Sequence, residues 1–418
     1  MADIVVNGNT SGAVTLSAPA VAGTVTVTLP ATSGTMLTTA STTGISGSAI
    51  SSGTVPEAYG GTGTSTGYYG FKNRIINGGM VVNQRGGTVT PGSGGTYGID
   101  RFYGYANGGG VFTAVQSTDT PSGSGFSYSN LLTVTTPDSS IGATEYYSTG
   151  QFIEGYNVAD LMWGTANAKT VTLSFWVKSS VTGSYSACLY NNAGDRCYPA
   201  AFTISVANTW QQVTLTVAGD TGGTWLTTNG IGLALRIDLG SGASFNGTAN
   251  TWNTSGGFVG IRTSSNVNWI ATNGATFYYT GVQLEKGSTA TSFDYRPYGT
   301  ELQLCQRYFE TLTSVGGSSV YVNFLNGGAN ATTQARYVYN YQVQKRSYPS
   351  VTFTTASGFS TQKGDDSLTA CTAITSEHLG INSCQVTTTV ASGLTAGANS
   401  RLIANGVNTA VISCSAEL

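Results

Sequence analysis

Charged residues are scarce in this chain of 418 residues. Asp, Glu, Lys and Arg together make up 9% of it, and the formal net charge is −2. No basic run is longer than the pair Lys345-Arg346. Proteins that bind nucleic acid neutralise phosphates with clustered Lys and Arg, so we expect no nucleic acid partner.

Long apolar runs are also missing. Residues 4–56 carry no charge, but Pro19, Pro30 and many Thr, Ser and Gly residues interrupt them, and no run of 18 apolar residues occurs anywhere. A helical membrane span needs such a run, so we expect no membrane insertion. The first four residues, Met-Ala-Asp-Ile, lack the basic and apolar segments of a secretory signal. This indicates assembly in a cytoplasm.

Histidine is almost absent and cysteine is sparse. His378 is the sole histidine, and the six cysteines include no Cys-x-x-Cys pair. A Ser-His-Asp triad or a zinc site needs more than this, and we interpret His378 as a solvated loop residue. Asp365 and Asp366 are compatible with a weak calcium site that the sequence does not establish. We predict neither a metal nor a cofactor.

Two of the cysteines, Cys188 and Cys197, flank a segment that reads Asn-Asn-Ala-Gly between them. A hairpin centred on that segment would set the two side chains opposite each other and permit a disulfide. Because thiols stay reduced in a cytoplasm, we favour two packed thiols over a disulfide.

Carboxylates that could form a catalytic pair are few. Glycoside hydrolysis uses two carboxylates roughly 5 to 9.5 Å apart in a sugar-lined cleft. Those of the central region fall on separate predicted strands and turns: Asp195, Asp220, Asp238, Glu285 and Asp294. We therefore predict that the protein is not an enzyme, and we interpret Glu285 as a structural residue of the turn that follows the last strand.

In place of charged residues the chain is rich in Gly, Thr, Ser and Tyr, and aromatic residues make up 11% of it. This apolar mass argues against disorder. Apolar residues recur at every second position in four central runs, which predicts strands with one buried face. The runs are 170–178, 209–217, 230–239 and 276–287. Short strands rich in β-branched and aromatic residues, separated by Gly/Ser/Asn loops, predict an all-β chain with a two-sheet sandwich at its centre.

The last of these runs carries a recognisable pattern. Residues 283–287 read Gln-Leu-Glu-Lys-Gly and residues 290–293 read Ala-Thr-Ser-Phe. This closing pattern resembles the jelly-roll modules, similar to carbohydrate-binding modules, that occur in many phage tail proteins. Residues 72–86, with an Asn-Gly-Gly turn expected between two strands, and residues 97–102 resemble the opening of the same module, although Phe102 stands where the family often has Trp. The resemblance implies a jelly roll over residues 71–298. The adjacent charges of Asp100 and Arg101 are expected to pair with other residues.

The N-terminal region has strands that are too short to enclose a core. Residues 14–16, 24–29 and 35–37 alternate between apolar residues and Thr, and isolated hairpins are marginal in water. Residues 18–23 and 29–35 resemble the attachment and shaft regions of phage tail fibres, which implies a homotrimer. We assign residues 1–43 to this segment and residues 44–70, a Gly/Thr-rich run, to an extended connector rather than a flexible linker.

One helix and a further β domain complete the prediction. Thr300 and Gln303 form a capping-box pattern ahead of apolar residues at helical spacing, so we place a short linking helix within 299–316. Strands are predicted over 335–343, 350–354 and 408–415, which gives a small C-terminal β sandwich over 317–418.

Six aromatic residues are candidates for ligand binding, because sugars stack their C–H faces on aromatic rings. Trp225, Trp252 and Trp269 occur in polar loop sequence, where each is equally compatible with a packed lid over the end of the sandwich. Tyr337, Tyr339 and Tyr341 alternate along one strand, so one face of that strand carries all three, as a second patch or a trimer interface.

The resemblance implies a homotrimeric phage tail fibre, a virion protein that binds the host surface. Its N-terminal region would attach to other tail or virion proteins, and it would bind host cell-surface polysaccharide or lipopolysaccharide without catalysis. Two alternatives stay open: a head fibre, collar or capsid decoration protein with no host ligand, and a polysaccharide depolymerase, which is a glycoside hydrolase.

Overall fold

The computed structural model describes residues 4–7, 13–16, 71–315 and 319–418. The chain divides into two compact units, residues 1–53 and 54–418. In the first, β1 (Ile4–Asn7) pairs antiparallel with β2 (Ala13–Leu16), which confirms the predicted strand over 14–16. The predicted strands over 24–29 and 35–37 and the connector over 44–70 lie outside the described residues.

The second unit is built almost wholly of strands, as predicted. Its first part has eleven strands: β3 (Thr96–Tyr97), β4 (Tyr103–Asn107), β5 (Val111–Ser117), β6 (Ser129–Thr136), β7 (Tyr146–Glu154), β8 (Val171–Ser179), β9 (Gly183–Tyr190), β10 (Cys197–Ile204), β11 (Gln211–Val217), β12 (Ile231–Ser241) and β13 (Thr276–Lys286). Short 3-10 turns lie at Gly155–Asn157, Ala159–Leu161, Ala243–Phe245 and Trp269–Ala271. The four runs predicted as strands are β8, β11, β12 and β13.

These strands form the predicted sandwich. A six-stranded sheet has the order β10-β9-β12-β7-β4-β3, and a five-stranded sheet has the order β11-β8-β13-β6-β5. The core between them takes every second residue, such as Leu235 and Ile237 from β12 and Leu173 and Phe175 from β8. β12 is buried along both faces, so something else covers the outer face of the six-stranded sheet.

The opening and closing motifs bond to each other along β13, the middle strand of the five-stranded sheet. The Asn73 amide donates to the carbonyl of Val282 at 2.9 Å, and its oxygen accepts from the backbone N–H of Leu284 at 3.0 Å. The Gln283 oxygen accepts from the backbone N–H of Asp294 at 2.8 Å. The Gln-Leu-Glu-x-Gly pattern is therefore a clasp that fixes where the chain enters and leaves the jelly roll.

The segment around the Asn-Gly-Gly turn is irregular, whereas two strands were predicted there. Residues 71–86 contain no strand. Asn77 has the positive φ (61°) that such a turn requires, but its side chain replaces a strand partner: the amide donates to the carbonyls of Val82 and Asp100, and its oxygen accepts from the N–H of Val82.

The linking helix, α1, spans Tyr298–Gln306. The predicted capping box does not form, because Pro297 is the N-cap residue and no side chain caps the helix. Glu301 instead accepts the backbone N–H of Asn77 at 2.5 Å and pairs with Arg296 at 3.2 Å. α1 is thus held by the opening motif. None of the helices in the described part of the chain is both long and apolar enough to cross a membrane.

The C-terminal part closes into a barrel where a small sandwich was predicted. Its strands are β14 (Phe309–Thr313), β15 (Asn323–Ala331), β16 (Gln334–Asn340), β17 (Ser350–Phe353), β18 (Phe359–Lys363), β19 (Leu368–Glu377), β20 (Ser383–Val390), β21 (Asn399–Ala404) and β22 (Val411–Ser415), with a 3-10 turn at Ala356–Gly358. The barrel order is β15-β16-β20-β19-β18-β21, and β14-β22-β17 forms a separate sheet. The three predicted strands are β16, β17 and β22.

The charges of Asp100 and Arg101 do pair with other residues. Arg85 bonds to Asp100 at 2.7 Å and to Glu417 at 3.1 Å. Arg101 is almost fully buried, bonds to Glu417, and lies 3.6 Å from the centre of the Tyr308 ring. A buried ionic network therefore joins the sandwich to the end of the chain.

Asp100 makes this junction sensitive to pH. Burial raises the pKa of its carboxyl from 3.8 to about 6, although Arg85 lowers it. The folded state therefore holds the proton more tightly than the unfolded state does, so the stabilisation is complete below pH about 4 and is lost as the pH rises through about 6. We expect the stability of the wild type, relative to Asp100→Asn, to fall by up to about 3 kcal/mol between pH 4 and 7. Urea unfolding of both proteins across that range measures the difference, and two parallel curves would contradict it.

All six cysteines are buried and free in the structure. The β9–β10 register sets Cys197 opposite Tyr190 and Cys188 opposite Pro199, so the two thiols are not directly opposite each other as the hairpin prediction had them. Burial raises the pKa of the Cys188 thiol well above its ordinary value. Both thiols serve as packing groups here.

Candidate functional site

The outer face of the six-stranded sheet carries an unusual set of side chains. Directly paired residues of neighbouring strands point to the same side of a sheet. Across β4, β7, β12 and β9 the pairs place Tyr103, Gly150, Arg236 and Cys188 in one row. The alternate residues of β12, including Leu235 and Ile237, point into the core. Arg236 thus lies at the middle of the outer face.

A long loop, residues 242–268, covers this face. It is attached at one end by the backbone N–H of Gly242, which donates to the carbonyl of Glu145 at 2.8 Å. Further along, the backbones of Asn253 and Cys197 bond to each other in both directions. The loop is therefore fixed to both β7 and β10, and it brings aromatic residues over the sheet.

Phe258 of this loop is held in a conformation that most residues avoid. Its φ is 61°, in the left-handed region that is costly for a bulky residue. Its backbone N–H donates to the carbonyl of Gly194 at 2.9 Å. Gly194 has φ +65°, and a Cβ atom there would lie 2.5 Å from the Phe258 ring, so glycine is required. Backbone strain here serves to place an aromatic ring.

Sheet and loop enclose a pocket of about 510 Å³, which we call the aromatic pocket. Six of its lining residues are aromatic: Tyr105, Tyr146, Phe152, Tyr190, Phe245 and Phe258. The others are Ser93, Gly94, Asn192, Ile231 and Arg236. The rings pack edge to face, with 6.0 Å between the centres of Tyr105 and Tyr146 and 5.6 Å between those of Tyr190 and Phe258. The size falls within the range of small-molecule sites.

Arg236 is the one charged residue in the lining. Its side chain is 7% exposed, and its guanidinium carbon lies 5.2 to 5.8 Å from the ring centres of Tyr105, Tyr146, Tyr190 and Phe258. Its Nε atom has no hydrogen-bond partner. Burial raises the pKa of Tyr190 well above its ordinary value, against the opposing effect of Arg236, so this phenol is neutral and supplies no counter-charge.

The aromatic pocket can therefore do two things chemically. Its rings offer flat apolar faces with polar hydroxyl edges, which suits a ligand with both C–H faces and hydroxyl groups. Its cation offers up to five N–H donors. The lining itself contains no carboxylate or histidine, and no group of three or more potential metal-ligating side chains exists among the described residues.

Two of the predicted tryptophans lie in a cluster beside a second, smaller pocket. Trp225 and Trp252 contact each other and Trp163, with ring centres 4.7 to 5.6 Å apart. Trp225 lines an apolar pocket of about 230 Å³, whereas Trp252 is not among the lining residues. Each indole N–H is already bonded within the protein, as in Trp252 to the carbonyl of Ala218 at 3.0 Å. These contacts fit the alternative given above for Trp225 and Trp252, in which the side chains pack as a lid over the end of the sandwich and bind no ligand.

The other predicted ligand residues lie inside the protein, so their assignment needs correction. Trp269 is fully buried in the sandwich core against Phe112 and Phe277. Three tyrosines of the barrel are also buried: Tyr337, Tyr339 and Tyr341. They share one face, as predicted, but closure of the sheet turns that face inward. None of the four presents a ring to a ligand or to a second chain.

None of the residues predicted from the sequence to bind a ligand lines the aromatic pocket. Its aromatic residues and Arg236 come from β4, β7, β9, β12 and the covering loop, which are distant in sequence and meet only through the strand order. One signal was present: Arg236 and Asp238 stand in phase within an otherwise apolar strand, in a chain where charge is rare. Charges spaced by two residues mark the face of β12 opposite the core.

The carboxylates that were weighed for catalysis have structural partners. Glu285 is buried, accepts the N–H of Thr291 at 2.9 Å and its hydroxyl at 2.7 Å, and bonds to the amide of Gln283 at 2.9 Å. Asp294 accepts the backbone N–H of Asn73 at 3.2 Å. These contacts agree with the interpretation of Glu285 as a residue that holds the exit of the last strand.

No protein-family model and no curated protein matches this chain. Among solved structures, it is similar to the enzymatically active domain of tailspike protein 4 of bacteriophage CBA120, at 15% identity and a TM-score of 0.27, over 52% of this chain and 22% of that chain. It is also similar to a xylan-binding domain from Paenibacillus barcinonensis, at 11% identity and a TM-score of 0.26, over 52% of this chain and 96% of that one.

A family 11 carbohydrate-binding module of a cellulosomal cellulase from Clostridium thermocellum is similar at 11% identity and a TM-score of 0.24, over 49% of this chain and 98% of the module. The structural neighbours thus include a phage tailspike domain, of which this chain spans under a quarter, and carbohydrate-binding modules. At these TM-scores the likeness carries no argument about function.

Proposed function

We propose that this protein binds carbohydrate in the aromatic pocket. The observation that carries the proposal is the pocket's composition: six aromatic residues and one cation around about 510 Å³, set on a rigid sheet and closed by a fixed loop. Sugar rings have apolar C–H faces that stack on such side chains and hydroxyls that bond to polar edges. The half-buried rings of Tyr105, Tyr146, Phe245 and Phe258 are the stacking surfaces.

We also propose that the pocket binds its ligand without cleaving it. The lining supplies stacking faces and a cation, whereas glycoside hydrolysis ordinarily uses two carboxylates across the scissile bond. The carboxylates of Glu285 and Asp294 already accept hydrogen bonds within the clasp, from the Thr291 hydroxyl and from the backbone N–H of Asn73 respectively. An assay for reducing ends released from bound polysaccharide tests this part, and release that requires either carboxylate would contradict it.

The biological setting we propose is the one that the sequence resemblance implies. The protein would be a homotrimeric tail fibre of a phage virion, attached through its N-terminal region and binding host polysaccharide or lipopolysaccharide. Light scattering of the full-length protein tests the oligomer, because a trimer has three times the 43.0 kDa mass of one chain. A monomeric mass would remove the fibre from the proposal and leave carbohydrate binding intact.

Substitution of the half-buried tyrosines tests the pocket. We expect Tyr105→Ala and Tyr146→Ala to weaken retention of full-length protein on immobilised bacterial polysaccharides and lipopolysaccharides about tenfold or more, as loss of a central aromatic contact does. Tyr348→Ala is the matched control, since Tyr348 is exposed and lies outside the pocket.

Trp225→Ala distinguishes the two pockets. Binding that survives Tyr105→Ala and Tyr146→Ala but is lost in Trp225→Ala would assign the ligand to the smaller tryptophan-lined pocket and overturn the proposal. Thermal unfolding of each variant checks that the fold is retained.

A further inference from the structure

Arg236 differs from the other buried cations of this protein. Five cationic side chains are more than nine-tenths buried among the described residues: Arg101, Arg236, Arg262, Arg296 and Lys345. The four other than Arg236 each have a carboxylate partner: Glu417 for Arg101, Asp238 for Arg262, Glu301 for Arg296 and Glu310 for Lys345. A charge is costly to bury unless it is paired. Among the described residues no carboxylate forms an ion pair with Arg236, and the groups that face its guanidinium are aromatic rings and the Tyr103 hydroxyl.

The carboxylate nearest in sequence is already committed elsewhere. Asp238 lies two residues along the same face of β12, but it accepts from the Ser241 hydroxyl at 2.6 Å and from the Asn266 amide at 3.0 Å. Its remaining charge partner is Arg262 at 3.8 Å. Asp238 therefore belongs to the loop anchor and leaves Arg236 free for another anion.

The groups that do surround Arg236 are neutral. The Tyr103 hydroxyl interacts with the guanidinium, and it also donates to the carbonyl of Leu235 at 2.9 Å. Burial raises the pKa of Tyr103 and of Tyr105, against the opposing effect of Arg236. Neither phenol ionises at neutral pH, so a positive charge remains at the floor of the pocket.

We infer that the saccharide bound in the aromatic pocket carries an anionic group, a carboxylate or a phosphate, that pairs with Arg236. This inference rests on the proposed carbohydrate function and names the class of glycan. A guanidinium forms two parallel hydrogen bonds to a planar carboxylate or to a phosphate. Arg236 lines the pocket, and the rings around its guanidinium exclude water, which strengthens the pair.

The test uses full-length protein and purified bacterial polysaccharides of known composition. Some contain uronic acid, some contain phosphate and some are neutral, and each anionic polymer is compared with its carboxyl-reduced or dephosphorylated form. We expect retention of an anionic polymer that falls at least tenfold when its anionic group is removed. Arg236→Gln is expected to lose the same factor on the anionic polymer, so that the variant no longer distinguishes the anionic polymer from its neutralised form. If carboxyl reduction lowers retention, the anionic group is a carboxylate; if dephosphorylation lowers it, the group is a phosphate.

Stability supplies a readout that does not depend on the ligand. Arg236→Gln removes an unpaired buried charge, so we expect its thermal midpoint to equal or exceed that of the wild type. Arg101→Gln, which breaks a paired charge, should lower the midpoint. A lowered midpoint for Arg236→Gln would assign Arg236 a structural role and overturn the inference.

The binding results separate the two proposals. One outcome would overturn the anionic ligand and leave carbohydrate binding in place. In it, the wild type and Arg236→Gln bind neutral and anionic polymers equally well, and Tyr146→Ala binds both more weakly. Absence of binding to every polymer, or binding that Tyr146→Ala does not affect, would overturn the proposed function and this inference with it.

Discussion

Replacing Lys345 with Met is expected to lower the free energy of unfolding by about 3 to 5 kcal/mol. Lys345 and Glu310 are 0% and 1% exposed, and their charged atoms lie 2.7 Å apart. Glu310 also accepts the Tyr339 hydroxyl at 2.8 Å, and Lys345 donates to the carbonyl of Gln306. Without the ammonium group, a carboxylate remains buried and unpaired, and that cost dominates the loss.

Urea unfolding followed by circular dichroism measures this effect. Lys363→Met is the matched control, because Lys363 is half-buried and its ammonium group bonds to the carbonyl of Gly393. We expect it to change stability by about 0.5 kcal/mol or less. The double variant Lys345→Met/Glu310→Gln should recover part of the loss, since it removes both charges. Equal stability of Lys345→Met and the wild type would contradict the burial of this pair.

The second large effect is expected at Trp269, which sequence analysis proposed as a ligand residue. Trp269→Ala should destabilise the protein by about 3 to 5 kcal/mol, as large-to-small core substitutions do, because the side chain fills the core between Phe112 and Phe277. The same change at the half-buried Trp252 should cost about 1 kcal/mol. If Trp269→Ala is as stable as the wild type but no longer binds glycan, Trp269 contacts the ligand and does not fill the core.

Much of the fold could be predicted from local sequence patterns. Strands β8, β11, β12 and β13 follow from alternation of apolar residues, because the period of two decides which side chains face the core. The Gln-Leu-Glu-x-Gly pattern also held, since its partners lie within the next dozen residues or at the opening of the module. Information of this kind is short-range and is readable along the chain.

The site could not be read in this way. Arg236 stands in a buried strand, and only the order β9-β12-β7-β4 brings it beside Tyr190, Tyr146 and Tyr105. The failure at Tyr337, Tyr339 and Tyr341 has the same origin, since alternation identifies a common face but closure of the barrel decides that it points inward. The capping box failed for a different reason: the helix begins at Tyr298, so Thr300 lies inside it and Pro297 is the N-cap residue. The first turn is held by a tertiary contact, from the backbone N–H of Asn77 to Glu301.

The pairing of β14 with β22 has a mechanical consequence. Thr313, where the chain leaves for the barrel, lies opposite Val411, where it returns. Between these two points the chain also leaves the barrel after β16 to add β17 to the same sheet, and it re-enters the barrel at β18. Arg346 adds bonds to the carbonyls of Ala416 and Asn229. Four chain segments therefore join the barrel to this sheet, so a pulling force on the barrel is shared among four covalent connections and the barrel cannot swivel as it would on a single linker.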